Sequence, residues 1–125
     1  MSTLRVNSLQ DVAGTGQPAM SGAAKAWVNF NGSGVVAIRA QFNVSSITDI
    51  NTGQYSINFT TALADANYSA VVSTSDLGSG GLSSVYAYIA DGQTARTSSA
   101  VRITSLVSNG TSFFDAQQLS VTVNR

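Results

Sequence analysis

Several residue types on which enzyme and metal chemistry depends are missing from this chain of 125 residues. It contains no cysteine, no histidine and no glutamate. The missing cysteine excludes disulfides and thiolate zinc sites, and the missing histidine removes the commonest general base and metal ligand. A hydroxyl nucleophile needs an activating base, which leaves only aspartate and lysine for that role. We therefore expect a protein that is not an enzyme and that uses no metal or cofactor.

Charge and long apolar runs are also scarce. Charged residues make up 10% of the chain, and six basic side chains balance six acidic ones. A neutral chain of this kind has no electrostatic attraction for nucleic acid or for an anionic membrane. No apolar run approaches the roughly 18–20 residues of a membrane helix, and the first residues lack the apolar core of a signal peptide. We expect synthesis in the cytoplasm without membrane insertion.

The residues that are present favour β-strands. Valine, isoleucine, threonine, tyrosine and phenylalanine recur in short alternating runs, and glycine, asparagine and serine separate these runs. The clearest run places Tyr55, Ile57 and Phe59 on one face. Seven or eight such runs predict an all-β fold, an antiparallel β-sandwich over residues 23–125.

The second run predicts a strand that is half buried against the core. Between residues 35 and 42, alternation places Val36, Ile38, Ala40 and Phe42 on one face. Residues 43–47 are expected to continue this strand after a bulge.

Residues 1–22 differ from the rest of the chain. They contain few large apolar side chains before Met20, and residues 13–18 have the composition of a loop. This pattern predicts an extended N-terminal arm and a linker. The candidate anchoring residues of the arm are Leu4, Val6, Leu9 and Val12.

Two surface features are candidates for contact with a partner. The run at 85–90 is apolar or aromatic on both faces, so Tyr86 and Tyr88 are a candidate subunit interface. The alternative is that these are two partly exposed tyrosines. The candidate exposed loop residues, in polar and glycine-rich segments, are Asn51, Thr52, Gly78, Ser79 and Gly80.

The aspartates are expected to stabilise turns rather than to catalyse. Two carboxylates could form a glycosidase pair, but most of the aspartates lie in or beside turn-like segments, where such side chains accept backbone hydrogen bonds. Asp49 begins a D-x-N-x-G pattern like that of a calcium loop. The twelfth position of that loop is Thr60 instead of a bidentate acid, so the pattern predicts a hairpin turn.

Five segments of the predicted sandwich resemble, in order and spacing, a module of bacteriophage tail-fibre proteins. They read KAWVNFNG at 25–32, VAIRA at 36–40, NVSSITD at 43–49, GQYSINFTTA at 53–62 and DANY at 65–68. The opening STLRVN at 2–7 and LQD at 9–11 are similar to the start of short fibre-like proteins of phages, including cyanophages. The chain departs from the module at Leu63 and Ala64, where a Met-Pro pair is usual.

This resemblance implies a structural protein of a phage virion. It would be a homotrimeric short tail fibre or tail-tip adhesin whose β-sandwich recognises the host surface, with host-surface glycan as a further partner. The arm would bind other virion proteins, for instance by adding a strand to a partner's sheet edge. The module fills almost the whole chain and leaves no long shaft, so the alternative is a decoration protein that stabilises the capsid. A carbohydrate-binding module outside viruses is a third interpretation.

Overall fold

The computed structural model describes residues 2–3, 23–75, 85–107 and 112–125. These residues form two antiparallel four-stranded sheets packed face to face, which confirms the predicted β-sandwich. The strands of the described part are β1 (Ala24–Asn31), β2 (Ala37–Phe42), β3 (Val44–Asn51), β4 (Gln54–Phe59), β5 (Ser69–Ser75), β6 (Val85–Ile89), β7 (Ala100–Val107) and β8 (Gln118–Asn124). The predicted arm, including Leu4, Val6, Leu9 and Val12, lies outside the described residues.

Within the described residues, no helix is long and apolar enough to cross a membrane.

The sheets combine sequential antiparallel pairs, namely β1–β2, β3–β4 and β6–β7, with strands that are distant in the chain. Sheet A has the order β2-β1-β8-β5, and sheet B has the order β3-β4-β7-β6. The central strands are therefore β1 and β8 in sheet A and β4 and β7 in sheet B. At one open side of the sandwich, β5 and β6 contact each other across the two sheets.

The core follows from period-two alternation on the central strands. Alternate residues of β4 are buried, as the sequence predicts, and those of β1 and β8 follow the same pattern. The Phe30 and Tyr55 rings meet edge to face with their centroids 5.3 Å apart, and this contact joins the two sheets. Full burial of each large side chain contributes roughly 1.5–3 kcal/mol. The largest fully buried apolar side chains are Tyr55, Phe30, Ile57, Ile103, Leu119, Val28, Val101, Val121 and Val123.

The prediction of a half-buried second strand is wrong, because β2 is an edge strand and every residue of it is exposed. The prediction that Val36, Ile38, Ala40 and Phe42 share one face is wrong as well. Ile38 pairs with the inward Phe30, but Ala40 pairs with the outward Asn29. The register shift between these pairs is a bulge at Arg39, which moves the following residues to the opposite face of the sheet.

Residues 43–47 do not continue β2 but begin β3 in the other sheet. The chain changes sheets at Asn43, which has a positive φ of 54°. Its side-chain amide donates to the carbonyl oxygens of Lys25 (3.0 Å) and Thr61 (3.1 Å), and its Oδ1 accepts from the Thr61 amide at 2.7 Å. Asparagine tolerates the left-handed conformation and here satisfies three backbone groups at once.

Candidate functional site

Two aspartates form surface ion pairs with arginines. Asp65 pairs with Arg125 near the end of the chain, and Asp91 pairs with Arg96. The hydrogen bond from each arginine holds the pKa of its aspartate below the usual value. Arg96 also donates to the Tyr68 carbonyl oxygen at 2.8 Å and lies over the Tyr68 ring. Both carboxylates are therefore neutralised by structural partners.

Asp115 stabilises a buried junction between the two sheets. Its Oδ1 accepts from the Tyr55 hydroxyl at 2.8 Å and from the Gly53 amide at 2.6 Å. The Tyr55 hydroxyl also lies 2.9 Å from the carbonyl oxygen of Gly32, in the β1–β2 turn. Burial of the ring, followed by the hydrogen bond to Asp115, raises the pKa of Tyr55 well above its ordinary value. The Tyr55 hydroxyl therefore stays protonated and donates a structural hydrogen bond in this junction.

Asp49 lies in β3, and the turn that follows it is the β3–β4 hairpin at Thr52 and Gly53. The predicted hairpin turn is confirmed, although β3 extends to Asn51 and the turn is shorter than expected. Across residues 23–75, 85–107 and 112–125, no three acidic side chains converge in a way that could hold a metal ion.

The structure separates the predicted contact residues. Asn51 and Thr52 are exposed, at the end of β3 and in the turn. Tyr86 and Tyr88 lie on the outer face of β6, an edge strand of sheet B, and each is 40% exposed. The predicted loop residues Gly78, Ser79 and Gly80 lie outside the described residues.

The outer face of sheet A carries an apolar row that the sequence predictions missed. One residue from each strand lies at the same level, and we call these four the Trp27 row: Phe42, Trp27, Thr122 and Val71, in the order of the strands. Trp27 is 39% exposed, Phe42 46% and Val71 60%. The alternation in β1 could have predicted the exposure of Trp27. Its neighbours Ala26 and Val28 point inward, and successive side chains of a strand point to opposite faces.

The surroundings of the Trp27 row are polar. The adjacent level across the sheet is formed by Ala40, Asn29, Ser120 and Ser73. The Asn29 amide donates to the Ser120 hydroxyl at 2.8 Å, so two of these polar groups satisfy each other. Two basic residues belong to these strands. Lys25 lies at the register shift between Ala24 and Ala26 on β1. Arg39 on β2 donates to the carbonyl oxygens of Phe30 at 3.3 Å and Gln117 at 2.7 Å.

The outer face of sheet B has a different chemistry. Arg102 on β7 donates to the Gln54 side chain at 2.6 Å and to Thr94 at 3.1 Å. The Asn58 amide donates to the hydroxyls of Ser46 at 3.1 Å and Thr48 at 2.9 Å. This face is therefore a network of side-chain hydrogen bonds around a cation, with the two tyrosines at its edge.

Comparison with protein-family models, with curated proteins and with solved structures finds no match to this chain. The fold and its surfaces are therefore the basis on which a function is proposed.

Proposed function

We propose that this protein is a structural component of a phage virion, a short tail fibre or tail-tip adhesin that exposes its β-sandwich for host-surface recognition. The observation that carries the proposal is the Trp27 row on the outer face of sheet A. A half-exposed tryptophan and phenylalanine on neighbouring strands form the kind of apolar patch that marks an interaction surface. The sequence resemblance to fibre modules supports the virion as its location.

The architecture suits a protein that works by contact. Sheet A presents its residues on hydrogen-bonded strands whose inner faces pack in the core, so that the backbone that carries the outer side chains is already ordered. Surfaces that are already ordered lose little conformational entropy on binding. The junction at Tyr55 and the ion pairs of Asp65 and Asp91 use three of the four described aspartates for stability.

The N-terminal arm, residues 1–22, completes the proposal as the segment that attaches the protein to other virion proteins. Deletion of residues 2–20 is expected to leave the sandwich folded, because the core among the described residues is formed from β1 onward. The same deletion should abolish incorporation into particles, as measured by mass spectrometry of purified virions. Normal incorporation of the truncated chain would contradict the anchoring role.

The first test of the proposed function is the copy number of the chain in purified virions, relative to the major capsid protein. A few symmetric sets per particle are expected for a fibre or tail-tip protein, together with host-cell adsorption that falls when Trp27 is replaced by serine. Copy numbers near that of the capsid protein would contradict the adhesin and identify a decoration protein. Absence from the particle would overturn the virion assignment.

A matched variant separates the proposed surface from the tyrosine edge. Tyr86 and Tyr88 are exposed to nearly the same extent as Trp27, but they lie on the other sheet. If the Trp27 row makes the host contact, replacing both tyrosines with serine leaves host-cell adsorption unchanged. The tyrosines remain the predicted subunit contact of a homotrimer, which this variant tests by its effect on the mass of the purified protein.

A further inference from the structure

The geometry points to the outer face of sheet B as a binding site for a carboxylate-bearing saccharide, with the carboxylate on Arg102 and the sugar hydroxyls on β3 and β4. This inference does not depend on the proposed virion function, because it involves neither the Trp27 row nor host-cell adsorption. It rests on the neutral partners of Arg102, on two buried polar atoms at this place that have no protein partner, and on the hydroxyl and amide groups of the neighbouring strands.

Arg102 is a cation whose observed hydrogen-bond partners are neutral. It lies on β7 between the fully buried Val101 and Ile103, so its side chain points to the outer face of sheet B. The guanidinium donates to the Gln54 side-chain oxygen at 2.6 Å and to the Thr94 hydroxyl at 3.1 Å. The two ion pairs among the described residues involve other arginines. Because a guanidinium has five N–H donors in a fork that matches a carboxylate, Arg102 keeps both charge and donors for a ligand.

The hydrogen bonding around Arg102 is incomplete within the chain itself. Three buried side-chain polar atoms in the described part of the chain have no protein partner, and two of them lie here. One is Nε of Arg102, and the other is the hydroxyl oxygen of Thr104, a fully buried residue two positions further along the same face of β7. Buried polar groups in native proteins nearly always have a partner, so two neighbouring exceptions indicate a position that a ligand completes.

The strands beside β7 supply hydroxyl and amide groups at matching levels. Ser56 of β4 pairs with Arg102, and Thr48 of β3 pairs with Ser56, so the three residues form one row across the outer face. At the next level, Asn58 pairs with Ser46. The Asn58 amide donates to the exposed hydroxyls of Ser46 and Thr48. These two hydroxyls act as acceptors in that network and keep their own protons for a ligand.

The combination of one cation with a row of hydroxyls favours an acidic saccharide over a simple anion or a neutral sugar. A uronic acid carries a carboxylate and several hydroxyls on one rigid ring, so it can use both kinds of group. A simple anion would leave the hydroxyls of Ser46 and Thr48 unused, and a neutral sugar would leave Arg102 without a counter-charge. Neighbouring strands lie about 4.8 Å apart, so the row from Arg102 to Thr48 spans about 10 Å, which two linked sugar rings can cover.

The first experiment measures the binding of trigalacturonate, a short chain of uronic acids, to the full-length protein by titration calorimetry. The matched probe is the same trisaccharide with its carboxylates methyl-esterified, which keeps the rings and hydroxyls but removes the charge. We expect trigalacturonate to bind at least about tenfold more tightly than the ester, because hydrogen bonds to a charged group are the stronger ones. Equal affinities for the two probes would overturn the inference, as would the absence of binding to the wild-type chain.

Arg102→Gln is expected to weaken trigalacturonate binding at least about tenfold. Arg102→Lys should lie between this variant and the wild-type chain, because lysine keeps the charge but not the fork. Arg39→Gln is the matched control. It removes the same charge from an arginine that donates to backbone carbonyl oxygens on sheet A, and it should leave the affinity unchanged. Near-ultraviolet circular dichroism controls for folding, and a folded Arg102→Gln chain with wild-type affinity would overturn the inference.

A second set of variants tests the hydroxyl row without touching a buried residue. Ser46→Ala and Thr48→Val each remove one exposed hydroxyl from β3, an edge strand, so the fold should be unaffected. Each is expected to weaken trigalacturonate binding by about threefold or more, through loss of one hydrogen bond. Ser73→Ala, an exposed serine of the edge strand β5 in sheet A, is the matched control and should bind as the wild-type chain does. Unchanged affinity in both β3 variants would overturn the assignment of a saccharide.

Nuclear magnetic resonance locates the bound carboxylate and separates other ligands of the same charge. The Nε–H signal of Arg102, identified by its loss in Arg102→Lys, should shift during titration with trigalacturonate. Sodium acetate that binds as tightly as trigalacturonate would show a simple anion site and overturn the saccharide. An oligo-aspartate peptide that binds as tightly would show a site for acidic protein segments and overturn it as well.

Discussion

Gly53 shows how a single backbone position fixes the β3–β4 hairpin against the neighbouring strand β7. Its φ is +66°, and a Cβ atom there would lie 2.4 Å from the Ser105 carbonyl oxygen and 2.7 Å from the Phe114 amide nitrogen. Its carbonyl oxygen accepts from the Ser105 amide at 2.8 Å, so the backbone cannot move away without losing this bond. Both conformation and space therefore require glycine here.

Replacing Gly53 with alanine is expected to lower the free energy of unfolding by about 3 kcal/mol or more, because the new methyl group meets backbone atoms that cannot yield. Gly34 is the matched control. Its φ is +69°, yet a Cβ atom at this position would meet nothing within 4 Å. Gly34→Ala should cost only the left-handed strain, about 1–2 kcal/mol. Urea unfolding of both variants measures the difference, and equal losses would contradict the role of crowding at Gly53.

Tyr55 gives the fold a dependence on alkaline pH. Burial and Asp115 raise the pKa of Tyr55 in the folded chain above the unfolded value of about 10. The folded state therefore favours the protonated phenol, and this stabilisation is complete below about pH 10 and is lost as the pH rises further. We expect the free energy of unfolding of the wild-type chain to fall steeply above that pH.

Tyr55→Phe should be less stable than the wild-type chain at neutral pH but should lose less stability at alkaline pH. At neutral pH it is expected to be less stable by about 1–2 kcal/mol, because Asp115 loses the hydrogen bond from the Tyr55 hydroxyl. Above about pH 10 its stability should fall less steeply than that of the wild-type chain. Tyr68, whose pKa burial also raises, accounts for the loss that remains. Parallel pH profiles of the two proteins in urea unfolding would refute the assignment to Tyr55.

At the scale of elements, the connection from β2 to β3 decides how the two sheets join. Asn43 reverses the chain with a positive φ, and its side chain holds the backbone of Lys25 and Thr61. The corner thereby links the start of β1, the end of β2 and the segment after β4. Such local hydrogen bonding is the reason that asparagine is favoured in turns.

Asn43→Ala is expected to destabilise the protein by about 2–4 kcal/mol, from three lost hydrogen bonds and left-handed strain. Asn43→Gly removes the same hydrogen bonds without the strain and should lie about 1 kcal/mol closer to the wild-type chain. Ser45→Ala, two residues on, removes one exposed hydrogen bond to the Asn58 carbonyl oxygen and should change stability by about 0.5 kcal/mol or less. Thermal unfolding of the three variants tests this order of destabilisation. Equal effects of Asn43→Ala and Asn43→Gly would contradict it.

The edge strands of the sandwich are protected unequally. The free edges of β2 and β3 each carry bulges and a charged residue, Arg39 or Asp49. Bulges and charges of this kind discourage edge-to-edge pairing with other chains. On the opposite side, β5 and β6 contact each other.

At the scale of the whole molecule, the apolar character of the Trp27 row makes its contacts insensitive to salt. Exposed charges interact over about a Debye length, which shrinks as salt is added, whereas apolar burial does not depend on such screening. We expect the host-cell adsorption that depends on Trp27 to change less than about threefold between low and moderate salt. Adsorption assays at two sodium chloride concentrations measure this, and a strong weakening by salt would indicate a contact between charged groups.

Much of this architecture could be read from residue alternation. The runs around Tyr55, Ile57 and Phe59 and around Leu119, Val121 and Val123 predict buried strand faces, and the structure buries all six side chains. Turn chemistry at 31–34 and 52–53 predicts the β1–β2 and β3–β4 hairpins, two of the three sequential antiparallel pairs. The β2 prediction failed because alternation assumes an unbroken register, which the bulge at Arg39 interrupts.

The sequence by itself determined the all-β class, the inward faces of the central strands and the absence of cysteine and histidine chemistry, because these follow from residue type and local period. The tertiary structure alone decided which strands lie side by side. Phe42, Trp27, Thr122 and Val71 form one row only because β8 lies between β1 and β5, a pairing of residues nearly 100 and about 50 positions apart in the chain. Backbone hydrogen bonds can join any two strands, so their order depends on how both sheets close over one core.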